Sequence, residues 1–272
     1  MSKNANQPGY QPAWKSLQEQ AGTQSGIPYA GQARPEIDVM LMRSPQRILD
    51  VGCSTGAVGE RLKHQYPQVF VWGVEIGAAA DEAERRLDRV SRIPPTEFGA
   101  EEIALLSSVD TVLMLDVLEH MYDPWKALAF LANHLAQGAQ MIVSLPNAGH
   151  ANVICDLADG YWHYQDSGLL DVTHIRFFTL FEMRKMFYET GFRILKTHFP
   201  VDYCVDPGRY PPQSFPAWVD FGGVKLIAQN HEHFLSLNSR QIFFSLELAA
   251  DAGLSSQELA FRHAPHPKTR AF

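Results

Sequence analysis

The stretch Arg47–Gly56, RILDVGCSTG, decides how this chain is read. An apolar, strand-like run ends in Asp50. Gly52 and Gly56 then bracket Cys53, Ser54 and Thr55, and a helical pattern follows. Glycine admits positive φ and lets backbone approach a ligand closely, and the N-terminus of the following helix favours negative charge. Two phosphate-binding fingerprints fail here. A dinucleotide loop wants G-x-G-x-x-G, but Ser54 stands in the second glycine position and the last glycine comes one place early; a P-loop wants Lys-Ser/Thr after its last glycine. By itself the loop serves equally as a tight strand-to-helix turn that holds nothing.

Working outward, strands and helices alternate. Gln46–Val51, Val69–Glu75, Val109–Leu115 and Met141–Leu145 read as strands, apolar nearly throughout, as strands buried on both faces should be. Helices are expected over Gly56–His64 and Ala78–Leu87, from Asp123-Pro124 to Gly138 with Leu128, Leu131 and Leu135 on one face, and from Thr179 to Gly191 with Met183, Met186 and Phe187 inward. Phe192–His198 and Gln241–Leu248 read as two last strands. Alternation of this kind implies an α/β fold with a mainly parallel sheet and helices on both faces. Ligands then bind beyond the carboxyl ends of the strands. There the second strand carries Glu75, about 20 residues past the glycine loop, where an acid accepts hydrogen bonds from a ribose diol. The plain alternative is a solvated surface acid.

Residues 1–33, rich in Gln, Gly, Pro and Ser, read as a loose arm with a short helix around Trp14–Gln20. Residues 34–249 form the main domain, with inserted segments at about 147–178 and 200–240, the latter holding a helix around Val224–Leu235. Residues 250–272 read as a polar tail. The arm and the long insertion are candidates for a homodimer contact. With 272 residues, 46% hydrophobic and 19% charged, the chain has material for a sizeable core. A net charge of −7 makes a nucleic-acid partner a poor fit. The three cysteines, Cys53, Cys155 and Cys204, form no CxxC pair and suggest reduced thiols and a cytoplasmic location. No apolar run is long enough to span a bilayer, which leaves peripheral membrane association open.

One further segment makes the reading specific. Leu115–Pro124, LDVLEHMYDP, follows the third recognisable strand, and together with DVGCSTG and Glu75 it resembles the class I S-adenosylmethionine-dependent methyltransferases over roughly Ile48–Phe192. The resemblance implies a Rossmann-like, seven-stranded sheet with an antiparallel last strand, and S-adenosyl-L-methionine as cofactor. Carried over, Asp50, Gly52, Cys53, Thr55 and Gly56 line the cofactor, Glu75 holds its ribose, Ile76 flanks the adenine, and Asp116 and Val117 lie near its methionine end. The family's acid against the adenine amino group has no clean counterpart in RVSRIPPTEFGAEE, where Glu97, Glu101 and Glu102 are all open. Ser144–Thr179 resembles a methyltransferase subgroup associated with bacterial surface-polysaccharide biosynthesis, which implies a saccharide hydroxyl as acceptor.

Methyl transfer to a hydroxyl benefits from a general base. His174 is the first candidate, with Asp171 as the carboxylate that orients it, and His120 the second; each has a structural alternative, as a loop tie or a helix-entry residue. Asn147, His150, Trp162, Tyr164 and Arg176 are candidates to face the acceptor: aromatic rings pack on sugars, and Arg176 suits an anionic group or pairs with Asp171. His231-Glu232-His233 reads as surface, because residues two apart on a helix do not share a face, and no metal is expected. A small aromatic or quinone-like hydroxyl is an alternative acceptor, since EH-x-x-DP also resembles methyltransferases of quinone biosynthesis. A non-catalytic cofactor-binding module is the contrasting class.

Overall fold

A computed structural model of the chain describes residues 34–201 and 211–267. The N-terminal arm, its expected helix and the end of the tail lie outside the described residues. After α1 (Glu36–Met40) come β1 (Arg47–Val51), α2 (Ala57–Gln65), β2 (Phe70–Val74), α3 (Ala80–Arg86), β3 (Arg89–Ser91), α4 (Ala100–Leu106) and β4 (Thr111–Leu115). Then follow α5 (Pro124–His134), β5 (Gln140–Pro146), α6 (Ala151–Ala158), α7 (Leu180–Glu189) and β6 (Phe192–His198). A hairpin of β7 (Ala217–Asp220) and β8 (Lys225–Ala228) precedes α8 (His231–Leu237), β9 (Gln241–Leu248) and α9 (Ser256–His263).

Seven strands form one sheet in the order β3-β2-β1-β4-β5-β9-β6. All pair in parallel except β9, which runs antiparallel between β5 and β6. The chain leaves β1 toward β2 and β3 on one side and resumes at β4 on the other. The carboxyl ends of β1 and β4 therefore flank the switch point where such sheets bind ligands. Apolar side chains cover both faces. Leu49, Val112, Met114, Val143 and Phe244 pack on one side with Leu128 and Leu131 of α5 and Met183, Met186 and Phe187 of α7. Ile48, Val71, Leu113 and Ile142 pack on the other with Leu62 of α2. Each such side chain, fully buried, contributes roughly 1.5–3 kcal/mol. The helix boundaries follow the expected signals: Asp123 accepts from Lys126 N and Thr179 from Glu182 N at the two N-caps, and Gly191, at φ +101°, ends α7. Among the described residues, no helix is long and apolar enough to cross a membrane.

Four expectations are corrected. β3 and α4 lie where none was expected, because a three-residue polar strand carries little periodic signal. The helix placed over Val224–Leu235 is in part the strand β8, and α8 starts only at His231, where the Asn230 side chain accepts from His233 N. Residues 250–272 are not merely a polar tail: Ser255 and Glu258 form a reciprocal cap that starts α9. Phe261 of α9 meets Tyr188 edge-on at 5.5 Å, and Lys185 donates to the carbonyls of Phe261 and Arg262. Finally, α5 ends at His134, and Gly138, at φ +79°, turns the chain into β5 rather than closing the helix.

Candidate active site

The loop after β1 is built to expose backbone. Gly52 has φ +71°, and a Cβ added there would lie 2.6 Å from Cγ2 of Val117. Ser54 and Asp116 also hold positive φ, at 49° and 56°, a conformation few non-glycine residues adopt. Glu75 closes the loop from β2: its carboxylate accepts from Ser54 N at 3.0 Å and from Gly77 N at 2.7 Å. Beside it opens a cleft of about 400 Å³, lined by Gly52, Glu75, Ile76, Pro95, Val117 and His120 among others. Ile76 is 74% exposed, an apolar side chain held at the mouth. A carboxylate at one side and apolar walls at the other suit a ribose joined to a purine. Asp50 lies buried behind the loop with Oδ2 unpartnered. Desolvation, reinforced by the Glu75 charge and opposed by Arg34, raises its pKa to about 7.

A second constellation sits where β4 ends. Asp116 forms an ion pair with Arg34 and accepts from Ser144 Oγ at 2.9 Å and from Gln241 Nε2. A short 3-10 turn, Leu118–His120, follows. It points Glu119 inward, where it is 0% exposed and neither carboxylate oxygen has a hydrogen-bond partner. Burial, then the Asp116 charge, pushes its pKa well up. His174 approaches from the long insertion, its Nε2 4.0 Å from Glu119 Oε1. Its ring meets that of His120 edge-on at 4.8 Å. Each imidazole has Nδ1 against a backbone carbonyl, His120 on Thr173 O at 3.1 Å and His174 on Leu169 O at 3.2 Å. A carbonyl only accepts, so Nδ1 carries the proton and Nε2 keeps the lone pair in the neutral rings. Burial, then His120, pushes the His174 pKa down. His120 borders the large cleft, whereas Glu119 and His174 border a neighbouring cavity of about 190 Å³.

Residues 28–197 match the family described as a methyltransferase domain. The chain belongs to this family. Its likeness to solved structures is one of fold: a SAM dependent methyltransferase from Archaeoglobus fulgidus superposes with a TM-score of 0.51 at 15% identity, over 87% of this chain and 100% of that one. The plantazolicin methyltransferase BpumL, solved in complex with SAH, gives 0.51 at 14% identity, over 87% and 90%. A malonyl-[acyl-carrier protein] O-methyltransferase of Geobacter sulfurreducens is 30% identical over 151 residues, 55% of this chain and 56% of that protein. An uncharacterized protein of Synechococcus sp. is 34% identical over 105 residues, 35% of this chain and 25% of the other. The chain thus spans about half or less of the curated relatives it matches. S-adenosylmethionine is the cofactor of this methyltransferase, and the cleft fits it: Gly52, packed closely on Val117, lines it with backbone, Glu75 offers its carboxylate, and Ile76 and Pro95 offer apolar walls.

The structure brings only some of the sequence-derived residues to the cleft. Gly52, Glu75, Ile76 and Val117 line the cleft, Asp50 is buried and does not line it, and Asp116 lines the neighbouring cavity with Glu119 and His174. Cys53 instead turns its thiol into the core, against Gly73, and burial pushes the thiol pKa up. Thr55 accepts from Arg86 Nη1 at 3.2 Å and is buried. Gly56, at φ +78°, caps α2 close to Leu87 and Ala83. Neither Glu101 nor Glu102 borders the cleft, since both pair with Arg89; Glu97 does not line it either, and Thr96 does.

On the acceptor side and around His174, four expectations are overturned. Asn147 donates to the carbonyls of Ser236 and Ser239 at 2.7 and 3.0 Å and accepts from Gly149 N at 2.9 Å, so it ties the insertion to α8 and faces no acceptor. His150 is buried and accepts from Asn152 N as the cap of α6. Asp171 does not orient His174: its carboxylate accepts from Thr173 N at 2.8 Å and from Thr173 Oγ1 at 2.6 Å, and the acid facing His174 is Glu119. Nor does Arg176 pair with Asp171; it donates to the carbonyls of Ile175 and Tyr122 and lies over the Tyr122 ring at 5.1 Å. Trp162 and Tyr164 keep exposed ring faces. Trp162 packs edge-on against Phe177 at 5.1 Å, and Phe177 lies 6.4 Å from His174. Sequence reading passed over Glu119, Arg34 and Gln241. The spacing Asp116-x-x-Glu119-His120 carried the signal for Glu119; the other two are brought in by tertiary structure alone.

Proposed function

We propose that this methyltransferase transfers the methyl group of S-adenosylmethionine to a hydroxyl oxygen of a saccharide or glycoconjugate. The observation that carries this reading is a run of rings from the cleft to an exposed aromatic: His120 borders the cleft and meets His174 at 4.8 Å, His174 lies 6.4 Å from Phe177, and Phe177 lies 5.1 Å from the partly exposed Trp162. Bound S-adenosylmethionine supplies a methyl on a positively charged sulfur, which leaves as a neutral thioether once an acceptor oxygen takes the methyl. The protein's task is to align that oxygen and dispose of its proton. Gly52, Glu75 and Ile76 hold the donor; His120, His174 and Glu119 form the centre that handles the proton; Trp162 and Tyr164 offer flat apolar faces with polar rims, which suit a sugar ring.

The test uses cofactor labelled in the methyl group against three acceptor sets: oligosaccharides with nucleotide sugars, small phenols, and acyl-carrier-bound carboxylates of the kind named for the Geobacter relative. Label fixed in a base-stable ether on a saccharide is the expected result. Label found only on a phenol, or only in a base-labile ester, replaces the acceptor assignment. Cofactor binding without turnover on any set overturns the catalytic reading in favour of a binding module.

A further inference from the structure

We propose that Glu119, His120 and His174 form a binding site for a divalent transition-metal ion. One ligand atom from each residue lies within 4.8 Å of the other two. Glu119 is the decisive member. An ionised carboxylate stripped of water and of every hydrogen bond is strongly unfavourable, and two partners relieve it, a proton or a cation. No other residue donates a hydrogen bond to either oxygen, and its neighbour His174 offers it a lone pair, since Nδ1 is committed to Leu169 O. Two lone pairs and a carboxylate around one point attract a cation.

The surroundings agree. Ligating histidines characteristically donate the other ring N–H to a backbone carbonyl, which fixes tautomer and ring orientation. Both rings do so here, on Thr173 and Leu169. The nearby Asp116 carboxylate adds negative potential without being needed as a ligand, since Arg34, Ser144 and Gln241 already bind it. Two nitrogens and one oxygen favour Zn²⁺, Mn²⁺ or Fe²⁺ over Mg²⁺ or Ca²⁺, which prefer all-oxygen sets. Three protein ligands also leave a position open, the pattern of catalytic rather than structural ions.

The role of such an ion rests on the proposed O-methylation. With the ion bound, the three side chains handle the proton through it and not as bases: an acceptor hydroxyl taking the open position loses its proton to solvent water at a much lower pH, as zinc-bound water does at about pH 7. The oxygen lone pair then forms the new bond to the methyl carbon while the carbon–sulfur bonding pair returns to sulfur.

Binding is tested separately from activity. The full chain, stripped with a chelator and dialysed, is titrated with Zn²⁺ by calorimetry and with Co²⁺ by visible absorption, whose intensity reports coordination number. One equivalent is expected to bind, with affinity falling at least tenfold in Glu119→Gln, His120→Ala and His174→Ala. His120 is exposed, so His120→Ala keeps the test valid if the buried variants fail to fold. Absence of binding by the wild type overturns the site, as does binding that survives in His120→Ala and in every other folded variant. Turnover is then measured on the acceptor found above. Its loss on chelation, with cofactor affinity unchanged, supports the catalytic role. Full turnover by the stripped protein overturns that role while the stoichiometric site stands. If no acceptor is methylated although the ion binds, the O-methylation reading fails and the site does not.

Discussion

The carboxyl ends of β1, β2 and β4 and the insertion that follows β5 treat their polar groups in opposite ways. The first region leaves part of its polar groups unsatisfied: Gly52, Ser54 and Asp116 hold positive φ, Glu119 is buried with neither carboxylate oxygen bonded, and Asp50 with Oδ2 unbonded, although Glu75 and the Asp116 carboxylate are partnered. In the insertion, Asn147, His150 and Asp171 spend their hydrogen bonds on backbone or on Thr173. Strain and missing partners persist only where something else compensates them, and in proteins that something is commonly a ligand. The contrast separates residues poised to act on a ligand from residues that hold a loop together, which residue type alone does not.

The largest test of the contrast falls on Gly52. In Gly52→Ala the new methyl meets Val117 at 2.6 Å in a backbone conformation that disfavours any Cβ. Cofactor affinity is expected to fall at least a hundredfold by calorimetry, with the far-ultraviolet circular dichroism unchanged. Adding Val117→Ala should restore part of it by removing the clash. Unchanged affinity in the single variant would mean that the loop is a turn without a ligand.

Asn147→Ala attacks the other side. It deletes three hydrogen bonds at a side chain almost wholly buried, each worth roughly 1 kcal/mol and more where a partner is left unpaired. A loss of about 3 kcal/mol in urea unfolding is expected, with turnover per folded molecule intact. The reverse outcome, full stability with a raised KM for acceptor, would return Asn147 to the acceptor site and break the contrast.

The two regions also differ in how far the sequence disclosed them. RILDVGCSTG, Glu75 and LDVLEH are short segments at strand ends, where chain order nearly dictates spatial order, so fold, switch point and cofactor wall were all legible. The seven-stranded sheet with its antiparallel β9 followed from the same alternation and resemblance. The insertion was read by residue chemistry alone, and there Asn147 and His150 misled: a polar side chain bonded to the backbone of α8 or α6 looks, in sequence, the same as one facing solvent. Glu119 was hidden for the converse reason. Adjacent to His120 in a 3-10 turn, it points to the interior, and only the fold brings His174, more than fifty residues on, against it.

Asp50 tests whether the unsatisfied region costs stability. Burial, reinforced by Glu75, lifts its folded pKa to about 7, whereas in the unfolded chain it titrates near the ordinary 3.8. A carboxyl raised in this way lends stability below the unfolded value, and that stability is lost as pH rises through the folded one, at about 1.4 kcal/mol per pH unit. Asp50→Asn cannot ionise. Between pH 5 and pH 7 the wild type should therefore lose about 2 kcal/mol relative to this variant, read from urea midpoints at the two pH values. A constant difference across that interval would show that the native fold stabilises the carboxylate after all.

The smallest expected effect falls on the part of the insertion that does leave groups exposed. Trp162 is partly exposed and meets Phe177 in a T-shaped contact at 5.1 Å, and Phe177 leads back to His174. Stacking of one aromatic face is worth on the order of 1 kcal/mol beyond the area it covers. Trp162→Ala should therefore raise the KM for a saccharide acceptor about tenfold, with kcat within a factor of two and cofactor affinity unchanged. A change confined to KM sharpens the contrast, because it makes the exposed rings the acceptor-binding element within a segment otherwise occupied with holding itself in place. If kcat falls instead and KM holds, Trp162 acts through Phe177 on the position of His174, and the boundary between the two regions lies inside the insertion, at Phe177.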